Sequence, residues 1–129
     1  MTGRAVHFEI PFEDGERARD FYREVFGWKI DVPPGIDYTM VVSGPTGDGG
    51  IPAEPGFING GMMDKKSSVA SGPVIVLEVD SIDDTLAVIE KQGGATLVGR
   101  TAVGDMGFSA YFKDPEGNVT GLWETVSRG

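Results

Sequence analysis

The sequence predicts an α+β fold built from two tandem βαβββ modules. Three observations predict it. Two stretches carry helical periodicity. Each is preceded by one strand-like run and followed by three. The two halves also align residue by residue, down to a Pro/Gly turn.

In the first helical stretch Ala18, Phe21, Tyr22, Val25 and Phe26 fall on one apolar stripe, with Asp14 placed to cap its start and Gly27 to end it. In the second, Ile82, Leu86 and Ile89 recur at helical spacing. Ser81 with Asp84 three residues on resembles a capping box, and Gly93-Gly94 stops the helix. The strand-like runs of the first half are Ala5 to Phe12, Trp28 to Val32, Tyr38 to Val42 and Phe57 to Met63. Those of the second are Val74 to Val79, Thr96 to Val98, Phe108 to Phe112 and Val119 to Thr125. In register, His7 falls on Val74, Phe12 on Val79 and Gly27 on Gly94, and Gly44-Pro45-Thr46-Gly47-Asp48 falls on Asp114-Pro115-Glu116-Gly117-Asn118. Matched Pro and Gly inside a turn are informative because they restrict or widen φ. The sequence therefore reads as a first module over residues 1–63, a linker over 64–72 and a second module over 73–129. A Gly/Pro-rich stretch from Gly47 to Gly56 has no periodicity and reads as a flexible loop. It is no phosphate cradle, since Pro52 breaks the glycine spacing and no capped helix follows.

Composition narrows the function classes. The chain has 129 residues, enough for one domain or two small units sharing a core. Cysteine is absent, which excludes disulfides, thiolate nucleophiles and thiolate–zinc sites. The formal charge of −9 opposes binding to nucleic acid or an anionic membrane, and the one basic pair, Lys65-Lys66, lies in the linker. No run approaches the roughly 20 apolar residues of a membrane span, and no apolar export segment is visible, so the cytoplasm is the expected location. No Gly-x-Ser-x-Gly motif supports a serine hydrolase.

The runs His7-Phe8-Glu9-Ile10-Pro11, Phe21-Tyr22, Phe26-Gly27-Trp28 and Phe112-Lys113-Asp114-Pro115-Glu116-Gly117-Asn118 resemble a vicinal oxygen chelate module. That superfamily holds glyoxalase I, extradiol dioxygenases, fosfomycin-resistance enzymes and bleomycin-binding resistance proteins. The resemblance covers nearly the whole chain. It implies a cupped mixed and antiparallel sheet with helices outside and a ligand inside, and a homodimer. Its catalytic members hold a divalent metal through the first and last strands of each module. Of those positions His7 alone carries a donor here: its counterpart is Val74, and the last-strand positions fall on Gly121 and on Gly60 or Gly61. A metal site normally needs three protein ligands, so none is expected. An altered set of His7, Glu9 and Glu78 is the route by which a metal could still be held.

Strand parity places Phe8, Ile10 and Phe12 under the helix and His7, Glu9 and Pro11 in the cup. His7 and Glu9 are the candidate catalytic pair, with Glu9 expected to raise the imidazole pKa. Trp28, Tyr38, Asn59, Met62, Phe108, Tyr111, Gly121 and Trp123 are the candidate ligand-binding residues. The leading expectation is a metal-free protein that binds a small organic molecule and needs no cofactor. The alternatives are a metal-dependent enzyme with an altered ligand set, either a glyoxalase-like lyase or isomerase or a dioxygenase type, and a non-catalytic interaction protein.

Overall fold

The structure is a computed structural model that describes residues 3–34 and 38–126. In chain order its elements are β1 (Arg4–Phe12), α1 (Gly15–Phe26), β2 (Lys29–Asp31), β3 (Thr39–Val42), β4 (Asn59–Asp64), β5 (Val74–Glu78), α2 (Ile82–Lys91), β6 (Ala95–Val103), β7 (Gly107–Lys113) and β8 (Val119–Thr125). This is an α+β fold in which βαβββ occurs twice. The chain divides into two compact units, His7–Pro73, and Val74–Gly129 with Met1–Val6.

In the unit His7–Pro73 the strands run in the order β2-β3-β4-β1. β1 lies parallel to β4, while β2, β3 and β4 are antiparallel neighbours. α1 forms where the sequence places it, for local reasons. The Asp14 carboxylate accepts the Arg17 N–H at 3.0 Å, and Gly27 ends the helix at φ 67°, which only glycine adopts cheaply. The Arg23 guanidinium then donates to the Ile30 carbonyl at 2.8 Å, tying the helix end to β2. The core is Ile30, Val41 and Met62, covered by Phe8, Ile10, Phe12, Ala18, Tyr22 and Trp28.

In the second unit the order is β5-β8-β7-β6, with β5 parallel to β8 and the rest antiparallel. Ser81 caps α2 by accepting the Asp84 N–H at 3.1 Å. A second free donor of the first turn, the Ile82 N–H, is taken by the Glu124 carboxylate at 2.8 Å. Glu124 also binds Arg100 at 2.9 Å, and the Arg100 guanidinium lies 3.5 Å from the centre of the Phe108 ring. These bonds hold the Glu124 carboxyl below the usual carboxylate range, the Arg100 bond first. The core is Val79, Ile82, Leu86, Ala110 and Leu122, with Leu77, Ile89, Phe108 and Phe112 packed against it.

The matched turns prove different in detail. At the β7–β8 turn Asp114 accepts the N–H groups of Glu116 and Asn118 at 2.9 Å each, and Gly117 takes φ 88°. Gly44 has no carboxylate to repeat this, and Gly47 stays at φ −91°. The chain instead runs out through a short 3-10 turn, Asp48–Gly50. The stretch expected to be a flexible loop is held by hydrogen bonds. Gly47 N–H donates to Ile51 O and Ala53 N–H to Pro45 O, both at 2.8 Å. The Asn59 amide adds bonds to Thr46 and Gly50.

Candidate functional site

Strand pairing defines which positions of the two units correspond. Glu9 lies opposite Gly61, as Val76 lies opposite Gly121. Gly61, rather than Gly60, is therefore the first-unit counterpart of Gly121. Gly60 is turned the other way: a Cβ there would strike the Phe8 ring at 2.5 Å, on the helix-packed side.

The face of the first unit away from α1 carries His7, Glu9, Gly61 and Tyr38. His7 Nε2 and the Tyr38 hydroxyl are hydrogen-bonded at 3.0 Å. The phenol lies over Gly61 so closely that any Cβ at position 61 would fall inside it. Glu9 is buried on the same face. Thr39, the next residue along β3, points the opposite way, and its hydroxyl accepts from Arg19 of α1 at 3.3 Å. Tyr38, just before β3, is turned the other way, toward His7.

Burial lowers the His7 pKa below its ordinary 6.5, because a low-polarity setting disfavours the cation. The expectation that Glu9 would raise it is corrected, since desolvation sets the direction. The sign of the pH dependence follows. A histidine with a depressed folded pKa contributes stability that is complete above pH 6.5 and is lost as pH falls through the folded value. A His7→Gln variant should show a flatter stability–pH curve below pH 6.5, measured by urea unfolding. The ring-proton NMR titration of His7 should give a midpoint under 6.5.

The expected lining set divides. Tyr38 joins His7 as described. Asn59 lies opposite His7 in the β1–β4 register, but its side chain serves the loop: Oδ1 accepts the Ser43 N–H at 3.0 Å, and Nδ2 donates to Thr46 and Gly50. In the second unit Tyr111, Gly121 and Trp123 share the face away from α2. A Cβ on Gly121 would meet Tyr111 Cε1 at 3.4 Å and Val76 Cγ2 at 3.0 Å. Trp123 Nε1 donates to the Thr125 hydroxyl at 3.1 Å, and that hydroxyl donates to Glu78 at 3.4 Å.

Trp28, Met62 and Phe108 are corrections, because all three pack toward a helix. Trp28 stacks on Tyr22 at 4.9 Å with an 8° interplanar angle and lies 5.6 Å from Phe8. Met62 is fully buried in the core under α1. Phe108 packs against the core beneath α2 and carries Arg100 on its outer face. By register the Thr39–Met62 pair corresponds to Ala110–Leu122, which sets Tyr38 against Ser109 and not Phe108. A one-residue difference in register moves a side chain to the other face.

Few of the residues at these positions carry a donor for a divalent metal. His7 Nε2 is engaged by Tyr38, position 61 admits no side chain while that phenol is in place, and Val74 and Gly121 offer no donor atom. Glu78 is bonded to Thr125. Among the described residues no group of three or more His, Asp or Glu is placed to hold an ion.

Two βαβββ units in one chain are the architecture of the glyoxalase-like class. A family model described as bleomycin resistance protein-like N-terminal matches residues 4–44. A glyoxylase-like domain-containing protein of Didymella fabae is 31% identical over 130 residues, spanning 92% of this chain and 91% of that protein. The chain belongs to this glyoxalase and bleomycin-resistance family, the vicinal oxygen chelate superfamily. Solved structures share the fold. Methylmalonyl-CoA epimerase of Streptomyces coelicolor, in complex with 2-nitronate-propionyl-CoA, has TM-score 0.65 at 19% identity, covering 98% of this chain and 97% of that one. A glyoxalase/bleomycin resistance protein/dioxygenase superfamily member from Vibrio splendidus 12B01 has TM-score 0.61 at 14% identity, covering 97% and 100%. No helix among the described residues is long and apolar enough to cross a membrane.

Proposed function

We propose that this chain binds a small organic molecule without a divalent metal, through the first-unit face that carries His7, Glu9 and Tyr38. The observation that carries the reading is the Tyr38 phenol, seated over Gly61 and bonded to His7. Where the superfamily's catalytic members place a metal ligand, this chain places an aromatic ring and a hydroxyl. A neutral imidazole, a phenol and a buried carboxylate suit a ligand with a flat apolar body and a few hydrogen-bonding groups. Tyr38 contributes a ring face, and the His7–Tyr38 pair offers both donor and acceptor character.

The test is a thermal-shift screen of the wild-type protein against a library of small aromatic and heteroaromatic compounds. A ligand at about a hundred times its dissociation constant should stabilise the fold by roughly 2.7 kcal/mol. The stabilisation should diminish in Tyr38→Phe, which keeps the ring and removes the hydroxyl. If no compound in a broad library shifts the melting curve, or if binding ignores both His7 and Tyr38, the interaction-protein reading takes its place.

A further inference from the structure

We infer that Met40 is the specificity-determining residue of the first-unit face, and that the molecule held there is a neutral, hydroxyl-bearing aromatic of two fused rings. The inference rests on the reading above and names the ligand class of that same site. β3 alternates: Thr39 and Val41 are buried, whereas Met40 between them is 46% exposed. Its side chain therefore stands on the face away from α1, which Tyr38 shares two residues earlier. Strand pairing fixes its neighbours. Met40 lies opposite Gly61 and Gly61 opposite Glu9, so the three form one row across β3, β4 and β1. The Tyr38 phenol fills the space over Gly61 in the middle of that row. On its other side Met40 lies opposite Asp31 of β2, where the face turns charged: Lys29 and Asp31 are exposed and Ile30 between them is buried.

An uncovered thioether on the same face as an aromatic ring suits a flat ligand, because methionine adapts its shape and packs favourably against ring edges. The sheet sets the size. Adjacent strands lie about 4.8 Å apart, so the apolar strip from the Gly61 position on β4 to the charged positions on β2 is roughly 10 Å wide. That width takes two fused rings laid across Tyr38 and Met40, whereas a single ring covers the first and leaves the second bare. The polar pair sets the chemistry. His7 Nε2 and the Tyr38 hydroxyl share one hydrogen bond, and whichever of them donates, a ligand hydroxyl can complete the set, since it both donates and accepts. Charge opposes a carboxylate ligand: Glu9 is buried in the same row, in a chain of net charge −9.

Isothermal calorimetry at neutral pH, with phenol, 2-naphthol and 2-naphthoate as probes, tests this. The wild-type protein should bind 2-naphthol about tenfold more tightly than phenol, equivalent to 1.4 kcal/mol, and should not bind 2-naphthoate measurably. Met40→Ala should abolish the advantage of the second ring and leave phenol binding unchanged, and Met40→Leu should keep most of it. The melting temperature of both variants should be nearly that of the wild type, because the side chain is exposed. Tyr38→Phe should weaken both hydroxylated probes. Equal affinity of wild type and Met40→Ala for 2-naphthol overturns the inference, as does tight binding of 2-naphthoate. Silence of all three probes also overturns it. If other library compounds still stabilise the protein in a Tyr38-dependent way, the reading of the site survives that result, and if none does, it falls as well.

Discussion

Met62→Ala is expected to lower the stability of the protein by about 2–5 kcal/mol and to leave the choice of ligand unchanged. Met62 is completely buried and shares the core beneath α1 with Ile30 and Val41. Removing its thioether side chain leaves a cavity, and the surrounding aromatic rings of Phe8, Tyr22 and Trp28 can close it only in part. Denaturant unfolding gives the stability change, and ligand competition at a temperature where the variant remains folded gives the rest. A residue lining the ligand would behave in the opposite way, with a small loss of stability and an altered ligand preference. A Met62→Leu variant, which nearly conserves volume, should cost less than about 1.5 kcal/mol.

The second large effect concerns Gly61. Gly61→Ala is expected to destabilise the fold by about 1–3 kcal/mol, because a methyl group and the Tyr38 phenol cannot occupy the same space. The phenol must leave, and with it goes the hydrogen bond to His7. The same substitution in a Tyr38→Ala background should cost much less, since the obstructing ring is gone. The double-mutant cycle therefore yields a coupling energy with a defined sign. Equal costs in both backgrounds would show that Gly61 is needed for backbone reasons alone. The comparison with Gly121 is informative. There the nearest contacts of an added methyl are 3.0 Å and 3.4 Å, a tight but less severe fit, so Gly121→Ala should cost less than Gly61→Ala.

The parts of this fold that were legible in the sequence are those governed by near neighbours. Asp14 and Ser81 cap their helices through bonds three residues long, and Gly27 reports a positive φ that few other residues adopt. The alternation of β1 placed Phe8, Ile10 and Phe12 correctly because one face is continuously apolar. Parity also carried a signal that the candidate lining set did not respect. Asn59 and Met62 are three apart on one strand, as are Phe108 and Tyr111 on another, so neither pair can share a face in a regular strand. Trp28 was harder to place. It lies between the left-handed Gly27 and the start of β2, where strand parity does not yet apply, and its direction is set by stacking on Tyr22.

What the sequence could not supply at the site is distance across the chain. Nothing local to Tyr38 indicates that its hydroxyl meets His7, 31 residues earlier. Nor does Gly61 reveal by itself whether its missing side chain leaves an opening or makes room for a neighbour. At Gly61 the space is filled by Tyr38. The direction of the His7 pKa was equally hidden. An adjacent acid in sequence suggests a raised value, but burial of the imidazole outweighs it.

Tyr38 and Gly61 are proposed to put a hydrogen-bonded aromatic group where the superfamily's catalytic members hold a metal. The most direct test is a calorimetric titration of the purified, chelator-treated protein with zinc, nickel, manganese and ferrous iron, run in parallel on His7→Ala. No stoichiometric binding of any of these ions that depends on His7 is expected. One equivalent of metal bound by the wild-type protein and lost in His7→Ala would show instead that His7 is a metal ligand.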